Sequence, residues 1–242
     1  MITPCLNKET PTEFILDKIA GGRSAIRLLN SACGWAETIT GKTEFVFFDC
    51  ILDTGALSKN WLKPLDGEIY VVKAISSLLN FNKVCFEDRK EAKDSVEATL
   101  KAINHAFKTV ADSLAACKFL SSSGVVILTP YKKGLGITKS AFKVSANLVE
   151  ISKRLYSLSV LCEKVDRSVE DRRKNRAKWM EHMLTITVQT CSLALNLFGG
   201  FSAAFDAEME LEDRLPSEVF NFWGTCASLA AIGKDTVRYI NN

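Results

Sequence analysis

The chain has 242 residues, 47% hydrophobic and 24% charged, which is too apolar for a disordered polymer. Charges recur along most of its length, unlike the pattern of a multi-span channel, and five prolines leave no evident flexible linker. A net charge of +3 and a pI near 8.4 are too mild for a nucleic-acid-binding face.

The N-terminal stretch MITPCLNKETPTEF lacks the basic and apolar regions of a secretory signal. Thr10 or Thr12 is placed to cap a first helix carrying Phe14, Ile15, Ile19, Ile26, Leu29, Cys33 and Ala36, weakened in the middle by Gly21-Gly22. Ala36 to Thr43 fits a loose phosphate-binding loop, with Lys42 and Thr43 in the reactive positions. Helical patterning precedes it where a buried strand is required, so a helix end turning at Gly41 is the expected structure. The apolar run FVFFDCIL, residues 45–52, is compatible with helix or strand. Residues 68–81, EIYVVKAISSLLNF, read as a further helix.

The strongest periodicity follows. Val96, Leu100, Ile103, Phe107, Val110, Leu114 and Cys117 form an unbroken heptad seam on a helix over about 88–120. Leu148, Ile151, Leu155, Leu158, Cys162, Val165 and Val169 form a second one. Glycines and a proline lie between, which predicts an antiparallel hairpin with each helix burying its stripe on the other. A third seam runs through Leu184, Val188, Cys191, Leu195 and Phe198, and Gly199-Gly200 is expected to weaken the helix beyond it. Pro216-Ser217-Glu218 marks the start of a last helix. The class is therefore all-α: a helical bundle around a long antiparallel heptad hairpin, with a hydrophobic C-terminal helical part. Three regions are expected, at 1–82, 83–182 and 183–242.

Residues 183–205 contain no charged side chain, enough helix to reach about 34 Å and cross a bilayer. Basic residues stand before this stretch, and Asp206, Glu208, Glu210, Glu212 and Asp213 follow it, so the basic side would face the cytosol. Thr185, Gln189, Ser192 and Asn196 form a polar stripe that suits a packed helix better than a lone one in lipid. Leu184, Val188, Leu195, Phe198 and Phe201 are the candidate membrane-contact residues. Arg172, Arg173, Lys174, Arg176 and Lys178 are candidates for binding anionic headgroups, with Trp179 at the interface. Glu170, Asp171 and Glu181 interleave with them, which argues against nucleic acid.

The eight cysteines are scattered without C-x-x-C pairs, and neither His105 nor His182 has ligands at metal spacing. No cofactor, metal, small-molecule substrate or catalytic residue is expected. Three short stretches resemble the peroxisome-elongating peroxin family: Arg23 to Leu29, Ala56 to Lys63, and Asn221-Phe222-Trp223 running on to Asp235 and Tyr239. The resemblance implies basic amphipathic helices that insert into one leaflet and bend it, with Ile26, Leu29 and Trp61 adding insertion. The general texture is equally similar to inclusion-membrane and effector proteins of intracellular bacteria. The reading is a non-enzymatic protein at an intracellular or cytoplasm-facing membrane surface. It would shape or tether that membrane and dock a partner, or itself, through the hairpin. The alternatives are a soluble helical adaptor or effector and, third, a nucleotide-binding enzyme.

Overall fold

The computed structural model describes residues 11–47, 50–57, 60, 62–88, 94–125, 131–163, 168–205 and 217–241. Helix α1 spans Pro11–Thr40 and continues through Gly21-Gly22. It stops where Gly41 takes φ +65° and donates its N–H to the Glu37 carbonyl at 2.9 Å. That left-handed turn is the ending expected there, and it removes the strand that a phosphate loop requires.

The undecided apolar run is a β-hairpin. Strands β1 (Glu44–Phe47) and β2 (Cys50–Asp53) pair antiparallel, with Glu44 opposite Asp53 and Phe47 opposite Cys50. Buried Thr54 begins the short helix α2 (Thr54–Leu57) and ties the hairpin to α1 by donating to Glu37 Oε1 at 2.9 Å. Helix α3 spans Lys63–Leu79 with Pro64 in its first turn, and a π-helical segment follows at Lys83–Glu87.

Helix α4 is Ser95–Ser122. Asp94 caps it, accepting from the N–H groups of Val96 and Glu97 at 2.9 and 3.1 Å. Helix α5 is Lys132–Cys162, α6 is Val169–Phe205 and α7 is Ser217–Asn241. Helix α6 runs unbroken through 182–183, so the boundary drawn there from the sequence falls inside a single element. It also passes through Gly199-Gly200. The second of these glycines has a packing reason: a Cβ at Gly200 would lie 3.1 Å from Ser140 Cβ on α5.

The bundle is all-α apart from the hairpin. Each helix packs on the next in the order α3, α4, α5, α6, α7, α1, and α1 touches α3 more lightly to close the circle. Asp94 meets Tyr156, Asn104 meets Glu150 and Phe107 meets Phe142, so α4 and α5 are antiparallel as expected. Only alternate positions of their heptad seams turn inward, however: Leu100, Phe107, Leu114, Ile151 and Leu158 are half-buried. Val96, Ile103 and Val110 are 38–47% exposed, and Leu148 and Leu155 are 50% and 54% exposed. The buried positions of α4 are Ala98, Ala102, Asn104, Thr109, Ala111, Ala115 and Ala116.

The reason is topological. A helix with a neighbour on either flank buries two narrow stripes on opposite sides, whereas a two-stranded coiled coil buries one seam. Small residues occupy those flanks because they let the backbones approach. The α1–α7 contact shows this. A Cβ at Gly224 would sit 2.8 Å from Ser31 Oγ, and one at Gly34 would sit 2.5 Å from the Asn221 amide. The buried apolar set is correspondingly Ala and Cys with a single Leu, Leu62, among the described residues.

Candidate functional site

Each helix of the ring carries an exposed stripe poor in charge, beside exposed charged residues such as Arg27 on α1, Glu97 and Lys101 on α4, Glu170 to Lys174 on α6, and Asp235 and Arg238 on α7. On α4 the stripe is Val96, Ile103, Val110 and Cys117, seven residues apart. On α5 it is Ile137, Ala141, Leu148, Ser152, Leu155, Ser159 and Cys162. On α6 the stripe runs Trp179, Met183, Thr187, Thr190 and Leu197, and on α7 Phe222, Leu229 and Ile232. Helix α1 shows Ala25, Leu29, Ala32 and Ile39; α3 shows Leu65, Val72, Ile75 and Leu79, with Glu68 in the same row.

The opposite sides carry ionic groups, and contacts between helices place those sides together. Arg27 on α1 donates to the Tyr70 hydroxyl on α3 at 3.2 Å. Lys143 on α5 donates to the same hydroxyl and stands 4.2 Å from the ring centroid. Glu150 on α5 accepts from Lys153 and Arg154 at 2.8 Å each and from Asn104 of α4, with Lys108 of α4 at 3.6 Å. Burial alone would raise the pKa of Glu150; the charges of Lys108, Lys153 and Arg154 override it and bring the carboxyl down to about 2. Arg154 also reaches His182 Nδ1 on α6 at 3.3 Å. Burial and this guanidinium both lower the imidazole's pKa and favour its neutral form. Part of the charge therefore gathers between helices around Glu150 and Tyr70, away from the uncharged stripes, while the pairs Lys101–Asp88, Lys174–Glu170 and Arg238–Glu181 lie at the surface.

The basic cluster of α6 is exposed throughout and divides between two faces. Arg172 and Arg176 continue the outward row of Trp179 and Met183 at helical spacing, and all four are exposed. Arg173, Lys174 and Lys178 instead line a pocket of about 820 Å³ against the last turns of α7, together with Arg238, Glu170 and Glu181. One pair crosses it, Arg238 with Glu181 at 2.7 Å, and Lys174 pairs with Glu170 along α6 at 2.7 Å. Val169, Ala177, Val237 and Ile240 supply apolar wall. The sequence shows the basic cluster but gives no sign that Arg238, some sixty residues on, completes a cavity with it.

The residues expected to contact a membrane lie elsewhere than on the outward row. Leu184, Val188, Leu195 and Phe198 are half-buried. Leu184 lies beside Gly233 of α7, and Phe198 meets Phe220 of α7 edge to face at 6.5 Å. The side chain of Phe201, like that of Trp61, lies outside the described residues. In the polar stripe, Thr185 is buried and Gln189, Ser192 and Asn196 are half-buried. Thr185 donates to the Glu181 carbonyl at 2.7 Å and Asn196 to the Ser192 carbonyl at 2.6 Å, which satisfies them within the helix. Among the described residues no helix is long and apolar enough to cross a membrane.

No protein-family model matches the chain, and no curated protein and no solved structure matches it either.

Proposed function

We propose that this is a non-enzymatic helical protein that works at a membrane surface, shaping or tethering it. One observation carries the reading: each helix of the ring leaves an apolar stripe exposed, while Glu150, with Lys108, Lys153 and Arg154, is buried between helices. A soluble bundle has the reverse arrangement, with charge outside. Leu29 is outward and exposed and Ile26 half-buried, consistent with shallow insertion of α1. Arg172 and Arg176 lie where headgroups would meet the end of the α6 row, each basic group contributing about 1 kcal/mol near an anionic surface. Leaflet insertion of this kind is what the peroxin-like stretches imply. The test is fractionation of cells expressing the full chain. The protein should stay with carbonate-washed membranes, and its complete release to the soluble fraction would overturn the reading.

A second reading is favoured by the heptad spacing of Val96, Ile103, Val110 and Cys117 on the exposed side of α4. A row repeating every seven residues is the geometry by which one helix takes another, so the hairpin would dock a partner helix as a soluble adaptor. That reading predicts a monodisperse protein without detergent.

A further inference from the structure

We propose that the pocket between the N-terminal half of α6 and the end of α7 holds the phosphate-bearing headgroup of an anionic lipid. Three observations converge there. The pocket is a groove open to solvent, of about 820 Å³, with room for a headgroup. Its rim carries four cations, Arg173, Lys174, Lys178 and Arg238, against two carboxylates, Glu170 and Glu181. Each carboxylate is engaged by one cation, Lys174 and Arg238 respectively, so the surplus positive charge resides with Arg173 and Lys178. The remaining wall, Val169, Ala177, Val237 and Ile240, is apolar. A phosphate answers the two surplus cations, and Arg in particular offers it two parallel N–H donors. The apolar wall has no use in binding a bare phosphate; it fits the glycerol and first acyl carbons of a lipid. Arg172 and Arg176, on the outward row, would meet a bilayer surface generally, whereas this pocket would select one molecule from it. The inference rests on the membrane reading for the source of the lipid.

The experiment is calorimetric titration of the full chain with dihexanoyl phosphatidic acid, kept below its micelle concentration, and with inorganic phosphate. Two charge-reversed variants, Arg173→Glu/Lys178→Glu and Arg172→Glu/Arg176→Glu, change net charge equally. Circular dichroism establishes that each is folded, and Arg173→Gln/Lys178→Gln replaces the first should it fail. The expected result is saturable one-site binding by the unmodified chain, weakened at least about tenfold in the pocket variant and unchanged in the outward one. Equal weakening in both would reduce the effect to long-range attraction and overturn the proposal, as would absence of binding. Inorganic phosphate binding as tightly as the lipid would overturn the lipid as ligand. Flotation with anionic vesicles separates the two readings. Flotation without binding of the short-chain lipid removes the pocket and leaves the membrane reading. Binding without flotation does the opposite.

Discussion

Glu150 is the most constrained charged residue described. Its side chain is 5% exposed and lies among Lys108, Lys153, Arg154 and Asn104. A buried carboxylate without partners would neutralise; this one ionises more readily than usual, its pKa falling from 4.5 to about 2. The sign follows from linkage. Because the folded pKa lies below the unfolded one, the contribution is complete above about pH 4.5 and is lost as pH falls toward 2. The shift corresponds to about 3 kcal/mol at neutral pH. Burial pulls the pKa of Lys153 down despite the carboxylate beside it, so the pair's net contribution is smaller. Glu150→Gln should therefore destabilise by roughly 2–3 kcal/mol at pH 7 in urea melts, and the difference from the unmodified chain should shrink as pH is lowered from 4.5 toward 2. A difference independent of pH across that window would mean that the cations do not hold the carboxylate. None of this arrangement is legible in the sequence. Glu150 lies two residues from the seam position Leu148, and its partner Lys108 is on another helix.

Among the elements, the α1–α7 contact depends on how closely two backbones approach. Gly224 faces Ser31 and Gly34 faces Asn221, so each helix offers a glycine to a polar side chain of the other. Trp35 adds a hydrogen bond from its indole N–H to Thr225 Oγ1 at 3.3 Å. Gly224→Val should cost about 1–3 kcal/mol by overpacking, although valine is no worse in a helix than glycine. Ser31→Gly in the same chain should recover part of that loss by opening the space opposite. Gly134, where an added Cβ would meet nothing within 4 Å, is the control: Gly134→Ala should leave the melting midpoint unchanged or raise it. Equal effects at 134 and 224 in thermal melts would exclude close approach as the cause. Element positions are partly readable because periodicity and turn residues mark them: α4, the end of α1 and the start of α7 lie close to where the first heptad seam, Gly41 and Pro216 suggest, whereas the second seam misplaces α5, which begins at Lys132 and ends at Cys162, so that Val169 opens α6 instead. Their partners are not readable. A heptad seam reports an apolar stripe and leaves open whether that stripe meets another helix or faces outward. The alanines that bury the flanks of α4 carry little hydrophobic signal of their own. The strand character of residues 45–52 is equally hidden, since a short apolar run has no period to distinguish it.

At the scale of the whole molecule the question is what the outward stripes are for, and paired substitutions on one helix can answer it. Ile103 and Ala111 both belong to α4, eight residues apart, but Ile103 is 40% exposed and Ala111 is 1% exposed. Ala111→Asp would bury an unpaired charge and should unfold the domain, since such burial costs several kcal/mol. Ile103→Asp, with Leu155→Asp on the outward row of α5, leaves both charges open to water, so far-UV circular dichroism and the melting midpoint should stay close to the unmodified chain. The two readings diverge on what else happens. If the stripes contact acyl chains, Ile103→Asp/Leu155→Asp should remove the protein from carbonate-washed membranes while it remains folded, because charges set in hydrocarbon cost more than the apolar stripe gains. If the α4 row docks a helix, the same variant should lose a protein partner or self-association in analytical ultracentrifugation and show no change in fractionation. A variant that is folded, membrane-retained and unaltered in association would leave the outward stripes without a role. The separation of charge from apolar surface around the ring would then be a feature of packing alone.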